Sequence, residues 1–171
     1  MASWSEFEAE APELAAVAAR LWPGIVALGR GAPLGEEPVF TISYLASIRR
    51  DGGPRLHPFC PIIADGRLFA AIPPSSPKGW DLRRDPRCVI HALPGPDDDE
   101  LCIRATAREA SDDDVRQLVR HVVSQSGVGG MIESISHHPL FEFELDQVDV
   151  ARWIDIGQPG THAVRQQWRA C

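Results

Sequence analysis

The chain has 171 residues, 44% hydrophobic and 24% charged, with a net charge of −7. This length suits one domain with a real core, covering 1–171, and the composition is that of a globular protein rather than a disordered one. The acidic balance argues against nucleic acid as the main partner, and no apolar run approaches the roughly 20 residues that span a bilayer.

The N-terminus, Met1-Ala2-Ser3-Trp4-Ser5-Glu6, lacks a basic segment leading into an apolar one, so no secretory signal is expected and the cytoplasm is the expected location. Ser3 with Glu6 and Ser5 with Glu8 each fit a capping box. Trp4, Phe7, Ala11, Leu14, Val17 and Leu21 recur at helical spacing, which predicts a helical extension over about residues 3–22. Pro12 divides it, and Pro23-Gly24 is expected to stop it. Residues 24–38, rich in glycine and proline and ending Gly35-Glu36-Glu37-Pro38, read as a lead-in loop.

From Val39 the period changes to two. Phe40, Ile42, Tyr44, Ala46 and Ile48 line one face of a strand, and Arg50-Asp51-Gly52-Gly53 supplies a hairpin turn. A second strand is predicted from about Arg55 to Ile63, a turn at Ala64-Asp65-Gly66-Arg67, and a third strand from Leu68 to Ile72. Ser76 then marks a helix cap and Pro77 a first helical residue, with Asp85-Pro86 ending that helix. Cys88-Val89-Ile90 opens a fourth strand, and Gly95 to Glu100 reads as a solvated acidic turn. In the fifth strand Leu101, Ile103, Ala105 and Ala107 face in. Ser111 is expected to cap a helix carrying Val115, Leu118, Val119, Val122 and Val123 on one stripe. Phe141, Phe143 and Leu145 mark a further strand, with a short one around Val150 to Ile156. Antiparallel strands with marginal helices predict a mainly β fold, a barrel or closed sheet with helical covers.

The segment Ser75-Ser76-Pro77-Lys78 carries the most chemistry. A helix start offers free N–H groups and a partial positive charge, which suit phosphate. A lysine in that first turn is disfavoured by the helix dipole unless an anion accompanies it. Two readings fit these residues: an ordinary serine-capped helix with a solvated lysine, or a phosphate site. Strand alternation also puts Arg55, His57 and Phe59 on one face, where a cation and an imidazole beside a ring suit a flat anionic ligand. The other reading is an edge strand with a solvated arginine and a core phenylalanine.

Elsewhere the signals are weaker. Cys60, Cys88, Cys102 and Cys171 form no C-x-x-C and suit neither a metal site nor a redox pair. His137-His138-Pro139 lacks a third ligand at metal spacing and reads as a surface loop.

Three stretches in order resemble a known family: Tyr44 to Pro58 its strand, turn and strand; Asp65-Gly66-Arg67-Leu68-Phe69 its second hairpin; and Ser76 to Arg87 its phosphate-site helix. The family is the pyridoxamine 5′-phosphate oxidase-like flavin-binding split barrel. The resemblance implies a six-stranded antiparallel Greek-key split barrel, a homodimer, and bound FMN. Relatives use a deazaflavin coenzyme or haem instead. It places Arg55, His57, Pro58 and Phe59 along the flavin, and Ser75, Ser76, Lys78 and Trp80 at the phosphate turn. The expected function is a flavin-dependent oxidoreductase acting on a small molecule, the alternative a non-catalytic binding protein on the same barrel. Two departures bear on the substrate. Ser76-Pro77-Lys78 stands where true pyridoxamine 5′-phosphate oxidases carry Ser-Arg-Lys. Their C-terminal Arg-Leu-His-Asp-Arg motif is absent.

Overall fold

The computed structural model describes residues 1–32, 38–95 and 97–171. Helix α1 (Trp4–Glu10) starts at the predicted capping box: the Glu6 N–H donates to Ser3 Oγ at 3.2 Å and the Ser3 N–H to Glu6 Oε2 at 2.7 Å. Pro12 opens α2 (Pro12–Leu21). Pro23, expected only to stop that helix, also opens a third, α3 (Pro23–Gly29). Proline breaks the helix before it but is pre-set for the first turn of the next. Part of the predicted lead-in loop, residues 33–37, lies outside the described residues.

The strands are β1 (Ser43–Ile48), β2 (Pro54–Phe59), β3 (Ile62–Ala64) and β4 (Arg67–Ala71), followed by helix α4 (Pro77–Arg84). Then come β5 (Arg87–Ala92), β6 (Glu100–Ala110), helices α5 (Asp113–Ser124) and α6 (Gly129–His137), β7 (Leu140–Ile154) and β8 (His162–Arg169). They form one antiparallel sheet in the order β2-β1-β5-β6-β7-β4-β3, with β8 paired to β7. The non-sequential neighbours β1–β5 and β4–β7 give the Greek-key crossing.

Among the described residues, eight strands replace the expected six. The run read as one strand from Arg55 to Ile63 breaks at Cys60-Pro61 into β2, paired with β1, and β3, paired with β4. Pro61 has no N–H to give a ladder, so the chain leaves one edge of the sheet there and joins the other. The two late strands fuse into the single β7, whose bulge leaves Asp146 between Gln147, opposite Arg104, and Leu145, opposite Ala105. The C-terminal segment supplies β8. Asp112, not Ser111, caps α5, its carboxylate accepting the Asp114 N–H at 2.8 Å.

The inward residues of β6 are those predicted: Leu101, Ile103, Ala105 and Ala107 are buried. The alternation read over Phe40 to Ile48 is present in β1, and the core takes the other row. Ser43, Leu45 and Ser47 point in, while Phe40, Ile42 and Tyr44 are exposed. Hydrogen bonding explains the inward serines, since Trp22 Nε1 donates to Ser43 Oγ at 3.0 Å. The main core joins α1, α2 and α3 to the sheet through Trp4, Phe7, Trp22 and Trp168; a second core lies between β3, β4, α5 and α6. The acidic turn is less solvated than expected: Asp99 is buried, with Arg20 Nη2 at 2.6 Å from its carboxylate.

Candidate functional site

Strand β2 alternates as the sequence predicts. Pro54, Leu56 and Pro58 face out, while Arg55 and His57 are half-buried and Phe59 is buried. The inward row meets α4, whose start at Pro77 with Ser76 as N-cap is also as predicted. The Ser76 side chain makes no capping bond, so its hydroxyl is not spent on the helix end.

Asp81 ties this corner together. Its carboxylate is buried and accepts from Arg55 Nε at 2.6 Å, Arg84 Nη1 at 3.1 Å and the Ser47 hydroxyl at 3.3 Å. Burial alone would push its pKa up; the hydrogen bonds from Arg55 and Arg84 outweigh that and hold it below the ordinary value. Arg55 is therefore fixed through Nε, and its terminal nitrogens are not part of that bond.

Three residues along the helix from Asp81 to its start, Lys78 is half-buried and donates from Nζ to the Pro58 carbonyl at 2.7 Å. Burial lowers its pKa from the ordinary lysine value, opposed by Cys60. His57 is lowered too, first by burial and then by the charges of Lys78 and Arg55, with Asp81 pulling the other way. Its Nε2 is enclosed and has no hydrogen-bond partner among the described residues.

Lys78 also borders a cavity of about 280 Å³, walled by Pro58, Cys60 and Ala71 and covered by Met131 and Ile135 of α6. The structure thus brings Pro58, Phe59 and Lys78 to the cavity. Arg55 and His57 stand close enough for their charges to act on one another but do not line it. Ser75 is exposed on the loop, and Trp80, 57% exposed, does not border the cavity. The Phe59 ring packs on Phe143 at 6.0 Å, as a core residue. Among the described residues no cluster of three His, Cys, Asp or Glu side chains suits a metal ion, and no helix is long and apolar enough to cross a membrane.

No protein-family model matches the sequence, and no curated protein matches it. Solved structures do. A protein related to general stress protein 26, of the pyridoxinephosphate oxidase family, from Clostridium acetobutylicum superposes with a TM-score of 0.58 at 11% identity, over 96% of this chain and 94% of that one. The fold is the pyridoxamine 5′-phosphate oxidase-like split barrel. HutZ, the haem storage protein from Vibrio cholerae, shares the split barrel with a TM-score of 0.57 at 18% identity, over 75% of this chain and 93% of HutZ. A haem-binding protein from Mycobacterium smegmatis gives 0.58 at 16%, over 86% of this chain and 57% of that protein. Identities this low speak for the fold.

The cavity lies beside the passage of the chain from β2 to β3, with Phe59, Cys60 and Ile62 in its lining. Sequence reasoning missed Asp81, Ser47 and the α6 cover. Asp81 meets Arg55 across 26 residues, and nothing local marks that pairing. Helix α6 begins with Gly129-Gly130, which reads as a breaker although the helix runs on to His137.

Proposed function

We propose that the chain binds a phosphorylated flavin, FMN or its deazaflavin counterpart, and acts as an oxidoreductase on a small organic molecule. The observation that carries this reading is Lys78: a half-buried ammonium in the first turn of α4, held between the Pro58 carbonyl and an apolar cavity, with Arg55 fixed nearby. The donor set fits a phosphate. Lys78 has two further N–H donors, the Arg55 terminal nitrogens add more, and the Ser76 hydroxyl is not used as a cap.

In this reading Lys78 and Arg55 hold the phosphate, and Asp81 keeps Arg55 in place. Pro58, Ala71 and Met131 shield the ring end from water. Bound flavin would supply the hydride or electron transfer. Burial pushes the Cys60 thiol up against the opposing charge of Lys78, and so favours the protonated thiol over the thiolate.

One chain does not enclose such a ligand. Its cavity of about 280 Å³ falls just below the ~300–1,000 Å³ range of small-molecule sites. The outward face of β1 and β2 beside it is apolar, with Leu56 63% and Tyr44 40% exposed. That face continues into a groove of about 600 Å³ floored by Ala46, Ile48 and Val89 and rimmed by Arg87 and Arg104. A second copy of the chain covering this face completes the proposed site, so a homodimer belongs to the reading.

The haem-binding relatives on the same barrel support a second reading, haem in place of flavin. One experiment separates them. The purified protein is titrated with FMN, a phosphorylated deazaflavin, riboflavin and haemin, and the visible spectrum is followed. Tight binding of FMN or deazaflavin with weak binding of riboflavin is expected; saturation by haemin alone selects the haem reading, and binding of none of them overturns both.

A further inference from the structure

His57 stands out at this corner because its Nε2 is enclosed yet unpartnered among the described residues. A buried polar atom without a partner is a standing cost to the fold and calls for an explanation, a functional role among them. The charged groups facing the ring come from two elements. Arg55 lies on its own strand β2; Lys78 and Asp81 come from α4. Strand β1 presents Leu45 opposite His57 and the neutral Ser47 hydroxyl nearby. Asp81 is compensated by Arg55 and Arg84, and Cys60 beside Lys78 is a neutral thiol. Burial first, and then the field of Lys78 and Arg55, favours the neutral ring in the chain alone. An anion lodged against Lys78 and Arg55 cancels that field and reverses its sign at the ring.

We propose that His57 takes up a proton when a phosphomonoester dianion binds beside Lys78 and Arg55, and so becomes the third cation of the site. The proton comes from solvent and ends on the imidazole; no bond of the ligand forms or breaks. This rests on the phosphate-site reading and adds two properties to it. The site discriminates a dianionic ester from its dephosphorylated form more strongly than two fixed cations would. Affinity for the ester also rises as pH falls, because binding consumes a proton.

Calorimetric titration of the full chain with FMN at pH 7.5, in buffers of different ionisation enthalpy, reads the proton directly. The expected result is net proton uptake with FMN and none with riboflavin. His57→Gln should abolish the uptake and weaken FMN about tenfold, more than it weakens riboflavin, as the loss of a nearby positive charge predicts. FMN binding without uptake, or uptake that persists in His57→Gln, overturns the inference and leaves the phosphate site standing. Absence of FMN binding overturns both. Should His57→Gln fail to fold, the wild-type pH profile decides: FMN affinity that is flat from pH 8.5 to pH 7 overturns the proposal, and a rise with flat riboflavin affinity supports it.

Discussion

Lys78 and Asp81 lie one turn apart on α4: in the proposed site the first serves the ligand, while the second ties Arg55 and Arg84 into the fold. Lys78→Ala should weaken FMN binding by about 1–3 kcal/mol, the range for a charged hydrogen bond, in a fluorescence titration; unchanged affinity would count against the phosphate site. Asp81→Asn removes the charge that compensates two arginines and should cost about 3 kcal/mol of stability in urea unfolding, as breaking a buried pair does. The pH dependence follows from the same pairs. Asp81 is held below its ordinary value, and Asp85, hydrogen-bonded by Arg87, titrates at about 2. A carboxylate depressed by folding stabilises the fold above its unfolded pKa and loses that contribution as pH falls through the folded one. The urea midpoint should therefore drop between pH 5 and pH 2, and Asp81→Asn should narrow the drop. Lys78 was legible in the sequence because a lysine in a helix's first turn breaks a local rule. Asp81 obeys every local rule, and only the fold brings Arg55 to it.

Among the elements, those with strong local signals came through the sequence clearly: the capping box of α1, the hairpin turns, and the inward row of β6. Those decided by tertiary pairing did not. Alternation in β1 gives the period but not the side, and here hydrogen-bonded serines occupy the core while aromatic and aliphatic residues face out. The break at Cys60-Pro61 reads as a continuous strand because Phe59, Cys60, Ile62 and Ile63 on either side of it are all apolar. The turn before β4 offers a sharp test of how α1 is seated. Gly66 has a φ of +64°, and a Cβ there would lie 2.6 Å from Ser5 Cβ, while its carbonyl accepts the Ser5 N–H at 2.9 Å. Gly66→Ala combines left-handed strain with a clash against the first turn of α1. It should lower the thermal midpoint and speed amide exchange at the start of α1 more than in β6.

In the molecule as a whole, the outward face of β1 and β2 stands out as exposed and apolar. The homodimer reading predicts a dimer in sedimentation velocity at micromolar concentration, and Leu56→Glu should shift it to monomer while weakening FMN binding. A wild-type monomer would remove the dimer from the proposal. Nothing in the sequence points to this face directly, because an exposed apolar row and a buried one share the same alternation. The junction between β2 and β3 has a consequence of a different kind. The two strands end the hydrogen-bonded path of the sheet at opposite edges, yet only Cys60 and Pro61 separate them along the chain. Cleavage between these residues would leave every ladder intact while turning a tethered loop of sheet into an open ribbon. Residues 1–60 and 61–171, expressed separately, thus form a natural pair for fragment complementation, reassembling through the β1–β5 ladder and the packing of α1, α2 and α3.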